Sequence, residues 1–314
     1  MKKTLVLAKE TPIYRSELAA HGIETVFCDS KDPFEIAKAG EGCAAAIFTS
    51  VRFDEAQFSK MPDLKLLSRY GIGIDTVDLA AATAHGVTVC NCPTYGTYDV
   101  AEHTVALILA LSRSIPQYDR RIKSENNWRQ VGMRTAHRLS VQRLGVVGFG
   151  RIARWVVTML RGFDMEMMVY DPYLNEETAK ELGVRPVTLE ELVETADIIT
   201  LNAPLTKETH HMVNEALIAK MKPGVLLVNT SRGGLIDEAA LVKALQSGHI
   251  AGAALDVFER EPFAEDHPLR SMENVILTPH VAWCSVEAKA NLLTEVLGNV
   301  IDYFEGRPLK NALN

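Results

Sequence analysis

Three polar residues, each placed just after an apolar run, have the types needed for chemistry on a small organic acid. ILTPHVAW puts His280 after a strand-like run, VLLVNTSRGG puts Arg232 after another, and DVFEREP carries Glu261. Pro279 has no backbone donor, so it ends strand pairing and leaves His280 at the rim of a sheet. An arginine fork pairs with a carboxylate through two hydrogen bonds, and an imidazole exchanges protons near neutral pH. The set therefore indicates acid–base chemistry on a substrate that carries a carboxylate.

A carboxylate that is hydrogen-bonded to an imidazole favours the charged imidazolium and orients the ring. Glu261 is therefore the expected partner of His280, and Glu259 is a second carboxylate in the same segment. Each residue also has an ordinary structural interpretation. His280 can be a hydrogen-bonded loop histidine, Arg232 can lie on a surface turn, and Glu261 can cap a loop. These residues alone leave both interpretations open.

A glycine-rich segment indicates a dinucleotide site. RLGVVGFGRIARW places Gly148, Gly150 and the small Ala153 between an apolar strand and a helix, as the dinucleotide fingerprint requires. Gly148 permits the tight turn, Gly150 lets the backbone approach a pyrophosphate, and the helix N-terminus attracts the anion. Asp171 ends the next strand, and 171 − 150 = 21 positions is close to the offset of about 20 expected for an acid that binds the ribose hydroxyls. No arginine follows in DPYLNEE to accept a 2′-phosphate, so NAD is expected rather than NADP.

Short apolar runs alternate with amphipathic segments along nearly the whole chain, which predicts repeated βα units and mainly parallel sheets. The first series of predicted strands is Thr4–Ala8, Thr25–Phe27, Ala45–Thr49, Leu66–Ser68 and Thr88–Cys90. The second series is Arg143–Val147, Glu166–Tyr170, Ile198–Leu201, Val225–Asn229, Ala251–Ala254 and Val275–Leu277. Two series of strands indicate two sheets.

A helix is predicted between the two series, from Val100 to Leu111. Its sequence VAEHTVALILAL is apolar nearly all round, which indicates a buried helix, and Asp99 is the predicted N-cap. The segment Pro116–Leu139 that follows shows no clean period. We interpret it either as an arm that wraps a partner subunit or as a surface connection, and the sequence does not choose between them.

Bulk composition limits the class of protein. The 314 residues suffice for two domains of ordinary size, and 47% apolar with 23% charged residues is typical of globular proteins. The net charge of -7 argues against nucleic acid as a partner. Five cysteines form an odd set without CxxC spacing, which disfavours a disulfide framework and a zinc ribbon, and no metal is expected. Because the run Leu5–Ala8 is too short for a signal core and no stretch approaches a membrane span, we expect a cytoplasmic protein.

Motifs that follow one another along nearly the whole chain resemble those of the D-2-hydroxyacid dehydrogenase family. They are RYGIGID at 69–75, VAEHTVALILAL at 100–111, GVVGFGRIA at 145–153, PLT at 204–206, MKPGVLLVNTSRGGLIDEAAL at 221–241, ALDVFEREP at 254–262 and TPH at 278–280. The resemblance implies hydride transfer between NAD and a small 2-keto acid. It further implies that Arg232 binds the substrate carboxylate, and that His280, paired with Glu261, donates the proton in reduction and takes it back in oxidation.

The same resemblance implies further contacts. Backbone N–H groups of Ile72 and Gly73 are expected to help hold the carboxylate, and the neighbouring glycines make that close approach plausible. Trp283 is expected either to face the substrate or to pack between domains. The expected cofactor contacts are Gly148, Gly150, Arg151, Ile152 and Asp171, with Thr104 near the pyrophosphate and Asp256 at the nicotinamide carboxamide.

The fold class expected from these patterns and from the resemblance is α/β, with two Rossmann-like or flavodoxin-like domains built on parallel sheets. An NAD-binding domain, 99–284, is expected to be inserted into a discontinuous substrate-binding domain formed by 1–98 and 285–314. The resemblance also implies a homodimer that is joined through the cofactor domain.

The resemblance does not name the substrate. Thr49 stands where phosphoglycerate dehydrogenases often carry an arginine for the phosphate, although Arg52 and Arg69 are close in sequence. Thr76 stands where the family usually has asparagine, which leaves the preferred side chain open. The chain ends at Asn314, so we expect the regulatory domain of some phosphoglycerate dehydrogenases to be missing. Hydroxypyruvate and glyoxylate are the first expectation, a branched or thioether 2-keto acid is the next, and phosphoglycerate remains an alternative.

Two rival functions use a similar fold. An NAD-sensing scaffold like the C-terminal binding proteins would bind transcriptional partners without turnover. The intact triad of Arg232, Glu261 and His280 and the expected lack of a disordered tail favour an enzyme. Formate dehydrogenases pair their histidine with glutamine, so Glu261 disfavours formate oxidation.

Overall fold

The computed structural model describes residues 2–129 and 134–314. The chain divides into two compact units, the first running up to Gly96 and including Cys284–Asn314, the second spanning Thr97–Trp283. Each unit is built on one sheet of parallel strands, which confirms the expected α/β class with two parallel sheets. The roles expected for 1–98 with 285–314, and for 99–284, stay predictions.

The strands follow the apolar runs of the sequence. In chain order they are β1 (Lys3–Val6), β2 (Glu24–Phe27), β3 (Ala45–Phe48), β4 (Leu66–Arg69), β5 (Thr88–Cys90), β6 (Arg143–Val147), β7 (Glu166–Tyr170), β8 (Arg185–Pro186), β9 (Ile198–Leu201), β10 (Val225–Asn229), β11 (Ile250–Leu255) and β12 (Val275–Leu277). Most are buried on both faces, as is typical of parallel sheets. The sequence did not predict β8 because its two residues are exposed and no apolar run marks them.

The helices lie between and after these strands. In chain order they are α1 (Pro12–Ala19), α2 (Pro33–Ala39), α3 (Glu55–Ser59), α4 (Leu79–Ala84), α5 (Thr97–Arg113), α6 (Ile115–Glu125), α7 (Arg151–Leu160), α8 (Glu176–Leu182), α9 (Leu189–Thr195), α10 (Glu215–Lys220), α11 (Glu238–Ser247) and α12 (Val286–Glu305). None of the helices in the described ranges combines the length and the apolar content that crossing a membrane requires.

The first unit has a five-stranded sheet in the order β2-β1-β3-β4-β5, and every pair is parallel. The loops after β3, β4 and β5 therefore leave the sheet at the same edge, the carboxyl edge where open α/β sheets bind ligands. Leu292, Val296 and Val300 of α12 are buried, and α12 contacts β4. The C-terminal helix thus completes the unit that the N-terminal strands begin.

The second unit has a seven-stranded sheet in the order β12-β11-β10-β9-β6-β7-β8, again with parallel pairs. From β6 the chain proceeds outward through β7 and β8, then returns to β9 and proceeds the other way. The strand order therefore reverses between β6 and β9, and the crevice outside the carboxyl ends of these strands is the expected ligand position. Buried apolar side chains form one cluster around Leu227 and Leu241, and a second around Val146 and Val157.

The helix predicted from Val100 to Leu111 is longer than predicted. It is α5, which begins at Thr97 and ends at Arg113. The prediction that Asp99 is the N-cap is therefore wrong. Asp99 lies in the first turn, where its charge is close to the positive end of the helix dipole. The prediction failed because apolar residues begin only at Val100, so the polar first turn gave no periodic signal.

Part of the segment Pro116–Leu139, whose sequence shows no clean period, is helical. The helix α6 ends at Glu125, and its C-cap, Asn126, has a left-handed backbone with φ of 47°. The sequence showed no clean period there because Gln117 is the one buried residue of α6, so no apolar stripe marks the helix. Residues 130–133 of the segment lie outside the described residues, and its role as arm or connection stays a prediction.

Candidate functional site

The glycine loop between β6 and α7 is shaped by close backbone packing. Gly148 has φ of 85°, and a Cβ there would lie 2.7 Å from the Ala203 backbone nitrogen, so only glycine fits. Gly150 is the N-cap of α7, and a Cβ there would meet no other atom within 4 Å. The loop therefore leaves open space in front of the N-terminus of α7, and the N–H groups at a helix N-terminus suit a phosphate anion. This space fits a dinucleotide pyrophosphate.

Asp171, which directly follows β7, accepts hydrogen bonds from the glycine loop and from its own loop. Its Oδ2 accepts a hydrogen bond from the Phe149 N–H at 2.6 Å, and its Oδ1 accepts one from the Tyr173 N–H at 2.7 Å. Each carboxylate oxygen has more than one lone pair, so these bonds leave acceptor capacity for hydroxyl groups of a ribose. The expected ribose contact is compatible with this geometry, and Asp171 also holds the glycine loop in place.

Asn202, at the end of β9, was missed by sequence reasoning. Its N–H donates to the Val147 carbonyl at 2.7 Å, and a Cβ on Gly148 would lie 2.8 Å from its carbonyl carbon, so it adjoins the glycine loop. Its Oδ1 is buried and has no hydrogen-bond partner among the described residues. A buried acceptor without a partner usually signals a water or ligand donor. Its position at the reversal of strand order, just before the PLT motif, is the signal that could have found it.

Arg232 lies in a turn that a buried asparagine organises. The side chain of Asn229 accepts from the Ser231 N–H at 3.0 Å and donates to the Arg232 carbonyl at 2.9 Å. A Cβ on Gly233 would lie 1.8 Å from the Phe258 carbonyl carbon, so this turn packs directly on the loop after β11. The fold therefore brings Arg232 close to the segment that carries Glu261.

Glu261 and His280 form the central pair of the site. His280 Nδ1 lies 2.7 Å from Glu261 Oε2, and the other oxygen of Glu261 accepts from the Phe258 N–H at 3.0 Å. Because Nδ1 is engaged with the carboxylate, Nε2 is the ring nitrogen left to exchange a proton with a substrate. The imidazole is 45% exposed, so a ligand can reach it.

The charges around Glu261 keep it ionised. Burial raises the pKa of its carboxyl, but the hydrogen bonds from His280 and from the Phe258 N–H, together with the nearby Arg232 charge, outweigh burial and hold that pKa below its usual range. The structure thus brings together Arg232, Glu261 and His280, which lie far apart in the sequence.

This lowered pKa predicts how stability depends on pH. A carboxyl with a lower pKa in the folded than in the unfolded state stabilises the fold above the unfolded pKa, and that contribution is lost as pH falls through the folded pKa. We expect the wild type to lose free energy of unfolding below about pH 5, and Glu261→Gln to lose less over the same range. Urea unfolding at a series of pH values measures this difference. Glu265→Gln, an exposed residue nearby, should retain the wild-type pH dependence. Parallel pH curves for wild type and Glu261→Gln would contradict the prediction.

Asp256 organises the turn that carries His280. Its Oδ1 accepts from the Thr278 hydroxyl at 2.5 Å and the Val281 N–H at 3.0 Å, and its Oδ2 accepts from the Ala282 N–H at 2.9 Å. Its backbone carbonyl accepts from the His280 N–H at 2.8 Å. These bonds hold His280 with a left-handed φ of 54°. A contact of this carboxylate with a nicotinamide stays a prediction, while its part in shaping the turn is visible in the structure.

Replacing Asp256 with asparagine should weaken this turn. The amide keeps the shape of the side chain but turns one acceptor into a donor that faces a backbone N–H. We expect a loss of about 2 kcal/mol in the free energy of unfolding, the usual scale for a buried hydrogen bond to a charged group. Any 2-keto acid reductase activity should fall with it. Asp164→Asn, at an exposed left-handed position that asparagine tolerates, is the control. Unchanged stability of Asp256→Asn in urea unfolding would contradict the structural role.

Thr104 has a buried hydroxyl that is already engaged. It donates to the Val100 carbonyl at 2.7 Å and lies 2.7 Å from the Thr230 hydroxyl. A contact with a pyrophosphate, which stays a prediction, would require it to exchange one of these partners. Arg151 begins α7 beside the glycine loop, Ile152 packs against the buried cluster around Val157, and Trp283 is half-buried at the end of the second unit.

A pair of glutamates fastens the loop after β11 to the start of α11. Glu238 Oε1 accepts from the Glu259 N–H at 2.8 Å, and Glu259 Oε1 accepts from the Glu238 N–H at 3.2 Å. His267 lies 3.2 Å from the first carboxylate and His211 lies 2.8 Å from the second. These bonds hold the segment next to Glu261 in place. The sequence indicated Glu259 as a second carboxylate but did not predict its pairing with Glu238.

The first unit carries the remaining expected residues on the loop after β4. Ile72 and Gly73 are half-buried there, and neither backbone N–H donates a hydrogen bond within the part of the chain that the structure describes. On the loop after β3, Arg52 pairs with Asp54 at 3.2 Å and is largely exposed. The loop after β4 therefore offers backbone donors at the carboxyl edge of the sheet.

Comparison with known proteins adds to this geometry. Residues 105–282 match the family model described as D-isomer specific 2-hydroxyacid dehydrogenase, NAD binding domain. D-3-phosphoglycerate dehydrogenase of Bacillus subtilis (strain 168) is 45% identical over 275 residues, which cover 86% of this chain and 51% of that protein. Glyoxylate reductase of Korarchaeum cryptofilum is 39% identical over 264 residues, covering 83% of this chain and 79% of that one. The chain spans about half the length of the phosphoglycerate dehydrogenases of Bacillus subtilis and Archaeoglobus fulgidus that it matches.

Solved structures give the same result for the fold. D-lactate dehydrogenase from Aquifex aeolicus, complexed with NAD and lactic acid, superposes with a TM-score of 0.87 at 32% identity, covering 97% of this chain and 96% of that one. All the residues that match the NAD-binding family model lie in the second unit, which also contains the glycine loop.

Proposed function

The chain belongs to the D-isomer specific 2-hydroxyacid dehydrogenase family, and we propose that it interconverts small 2-keto acids and D-2-hydroxy acids with NAD as the cofactor. One observation carries the proposal: His280 Nδ1 lies 2.7 Å from Glu261 Oε2, on a loop against which the turn that carries Arg232 packs directly. All three proposed groups lie in the second unit. They are His280 as the proton donor, Glu261 as the carboxylate that favours the charged imidazole, and Arg232 as the cation for the substrate. This is the set that reduction of a 2-keto acid requires.

The proposed mechanism gives each residue one task. Arg232 binds the substrate carboxylate through its guanidinium. The family resemblance also implies the N–H groups of Ile72 and Gly73 as ligands of a substrate carboxylate. NADH, when bound, supplies the hydride to the keto carbon. His280 donates the Nε2 proton to the keto oxygen, and in the reverse direction it takes the proton from the hydroxyl. Glu261 holds the ring through Nδ1 and stabilises the imidazolium before the proton leaves.

The cofactor is proposed to be NAD rather than NADP. The open space at Gly150 and the N-terminus of α7 suit the pyrophosphate. Asp171 is the proposed ligand of the ribose hydroxyls, and its negative charge would repel a 2′-phosphate. Gly148, Arg151 and Ile152 line the same turn. Comparison of NADH with NADPH as the reductant tests this preference.

Hydroxypyruvate and glyoxylate are the proposed substrates. Among the relatives, the glyoxylate reductase of Korarchaeum cryptofilum is matched over most of its own length, which supports a small 2-keto acid. Trp283 is proposed to face the substrate and to narrow the space around its side chain.

Phosphoglycerate oxidation is the second candidate. It is favoured by the 45% identity to the Bacillus subtilis phosphoglycerate dehydrogenase, although this chain spans about half of that protein. It is disfavoured by Thr49 at the position where those enzymes often carry an arginine, and by the ion pair that engages Arg52 with Asp54. Direct comparison of phosphohydroxypyruvate with hydroxypyruvate decides between the two.

We further propose a homodimer that is joined through the second unit and located in the cytoplasm. Tyr98 and Trp155 are 53% and 43% exposed and form an edge-to-face pair at 5.1 Å, an apolar surface of the kind that subunits cover. The free thiols of all five cysteines support a reducing compartment. Sedimentation velocity tests the dimer.

A screen of NADH oxidation over short 2-keto acids, repeated with NADPH, tests the proposed function. Turnover of hydroxypyruvate or glyoxylate supports it. Tight NADH binding without turnover of any 2-keto acid would instead support an NAD-sensing scaffold. Oxidation of formate without reduction of any 2-keto acid would overturn the assignment of Glu261 and His280.

A further inference from the structure

The loop that follows β4 is held from the segment that follows β5. The Cys92 N–H donates to the Gly71 carbonyl at 3.0 Å, and Asn91 Nδ2 donates to the Ile72 carbonyl at 2.9 Å. In a planar trans peptide the N–H points opposite to the C=O. The bond to the Gly71 carbonyl therefore fixes the direction of the Ile72 N–H, and the bond to the Ile72 carbonyl fixes that of the Gly73 N–H.

Arg69 holds the two ends of the same loop. Its Nη1 donates to the Tyr70 carbonyl at 2.5 Å and its Nε donates to the Gly73 carbonyl at 2.9 Å. The guanidinium also lies 5.6 Å from the centre of the Phe48 ring. A Cβ on Gly71 would lie 3.3 Å from Nη1, and Gly71 has φ of 139°, which favours glycine. The arginine thus lies under the loop and spans it from one carbonyl to the other.

These bonds engage the carbonyl groups of the loop but not all of its backbone N–H groups. Neither the Ile72 nor the Gly73 N–H donates a hydrogen bond in residues 2–129 and 134–314. Two adjacent N–H groups without a partner, held in fixed directions by their own peptide planes, form a concave site for an anion. The carboxylate of the proposed substrate is such an anion.

We propose that Asn91 and Arg69 are positioning residues for substrate binding. Asn91 fixes the direction of the Gly73 N–H through the Ile72 carbonyl, and Arg69 holds the two ends of the loop that carries the Ile72 and Gly73 donors. This inference rests on the proposed function and deepens it. Asn91 is 8% exposed, and its backbone carbonyl accepts from Asn299 Nδ2 at 3.2 Å. Its amide therefore acts through the loop and not by touching the substrate.

Asn91→Asp is the decisive variant. It keeps the shape of the side chain but removes the donor, and it places a carboxylate oxygen against the Ile72 carbonyl. We expect KM for glyoxylate or hydroxypyruvate to rise about tenfold or more, with a smaller change in kcat, because a misdirected donor weakens binding of the substrate carboxylate. The dissociation constant of NADH should stay at the wild-type value, because the residues proposed to bind the cofactor all lie in the second unit.

Two further variants separate positioning from loss of stability and from direct charge. Gln57→Glu changes another buried amide of the first unit, one that bonds the Pro33 carbonyl and Met61 Sδ away from the loop, so it should lower the Tm without raising KM. Arg69→Lys keeps the positive charge but lacks the planar fork that reaches two carbonyls. We expect it to raise KM as Asn91→Asp does, and it also serves if Asn91→Asp does not fold.

The readouts distinguish this inference from the proposed function. A raised KM in Asn91→Asp and Arg69→Lys, with weaker binding of oxamate to the NADH complex and with Gln57→Glu at the wild-type KM, supports the inference. Wild-type turnover of 2-keto acids with an unchanged KM in both variants overturns the inference alone. A wild type that neither turns over 2-keto acids nor binds oxamate overturns the proposed function and this inference together.

Discussion

Replacing His280 with alanine is expected to lower kcat for 2-keto acid reduction by about 10²–10⁴-fold, the usual contribution of a positioned general acid. His280 Nε2 is the proposed source of the proton for the keto oxygen, and alanine leaves no group to supply it. Binding of NADH should be unchanged, since the imidazole is proposed to contact the substrate and not the nucleotide. The measurements are steady-state NADH oxidation and fluorescence titration with NADH.

Two companion variants sharpen this test. Glu261→Gln keeps the size of the side chain that orients the imidazole but removes its charge, so it should lower kcat less than His280→Ala. His21→Ala, a histidine paired with Glu305 on the first unit, is the control and should retain full activity. A His280→Ala enzyme with wild-type kcat would remove the proposed mechanism.

Replacing Arg232 with glutamine is expected to lower kcat/KM by about 10²–10³-fold, on the scale of 2–5 kcal/mol that follows the loss of one partner of a hydrogen-bonded charge pair. The guanidinium is the proposed cation for the substrate carboxylate, and the amide cannot replace its charge. The kcat/KM of Arg232→Lys should lie between the values for the wild type and the glutamine variant, since lysine keeps the charge without the planar fork.

The effect should also depend on the substrate. Loss of Arg232 should weaken binding of every 2-keto acid to a similar degree, because the carboxylate is the group they share. Arg260→Gln removes an exposed positive charge next to Glu261 and controls for a general change in local potential. Wild-type kcat/KM in Arg232→Gln, measured at the same ionic strength, would show that the carboxylate binds elsewhere.

Much of the fold could be predicted because parallel strands are buried on both faces and so appear as continuous apolar runs. Val225–Asn229 and Arg143–Val147 match observed strands for this reason. The predicted helices differ from the observed ones where the sequence contains few apolar residues. The first turn of α5, with Asp99, and the polar helix α6 gave no periodic signal, although hydrogen bonding and neighbouring structure make both helical.

The sequence by itself determined which residue types are present and on which strand ends they lie: Arg232 after β10, Glu261 after β11 and His280 after β12. Parallel pairing then brings those strand ends to one edge of the sheet. This arrangement can be predicted from the periodicity of the sequence and from the rules that govern connections between parallel strands. Only the tertiary structure decided the 2.7 Å contact of His280 with Glu261 and the part that Asp256 plays in the turn. It alone also revealed the bond from Asn91 that directs the Gly73 N–H and the bonds from Arg69 that hold the ends of the same loop. The physical reason is that hydrogen bonds between loops depend on the directions of side chains and peptide planes, and those directions are set by packing between segments far apart in the chain.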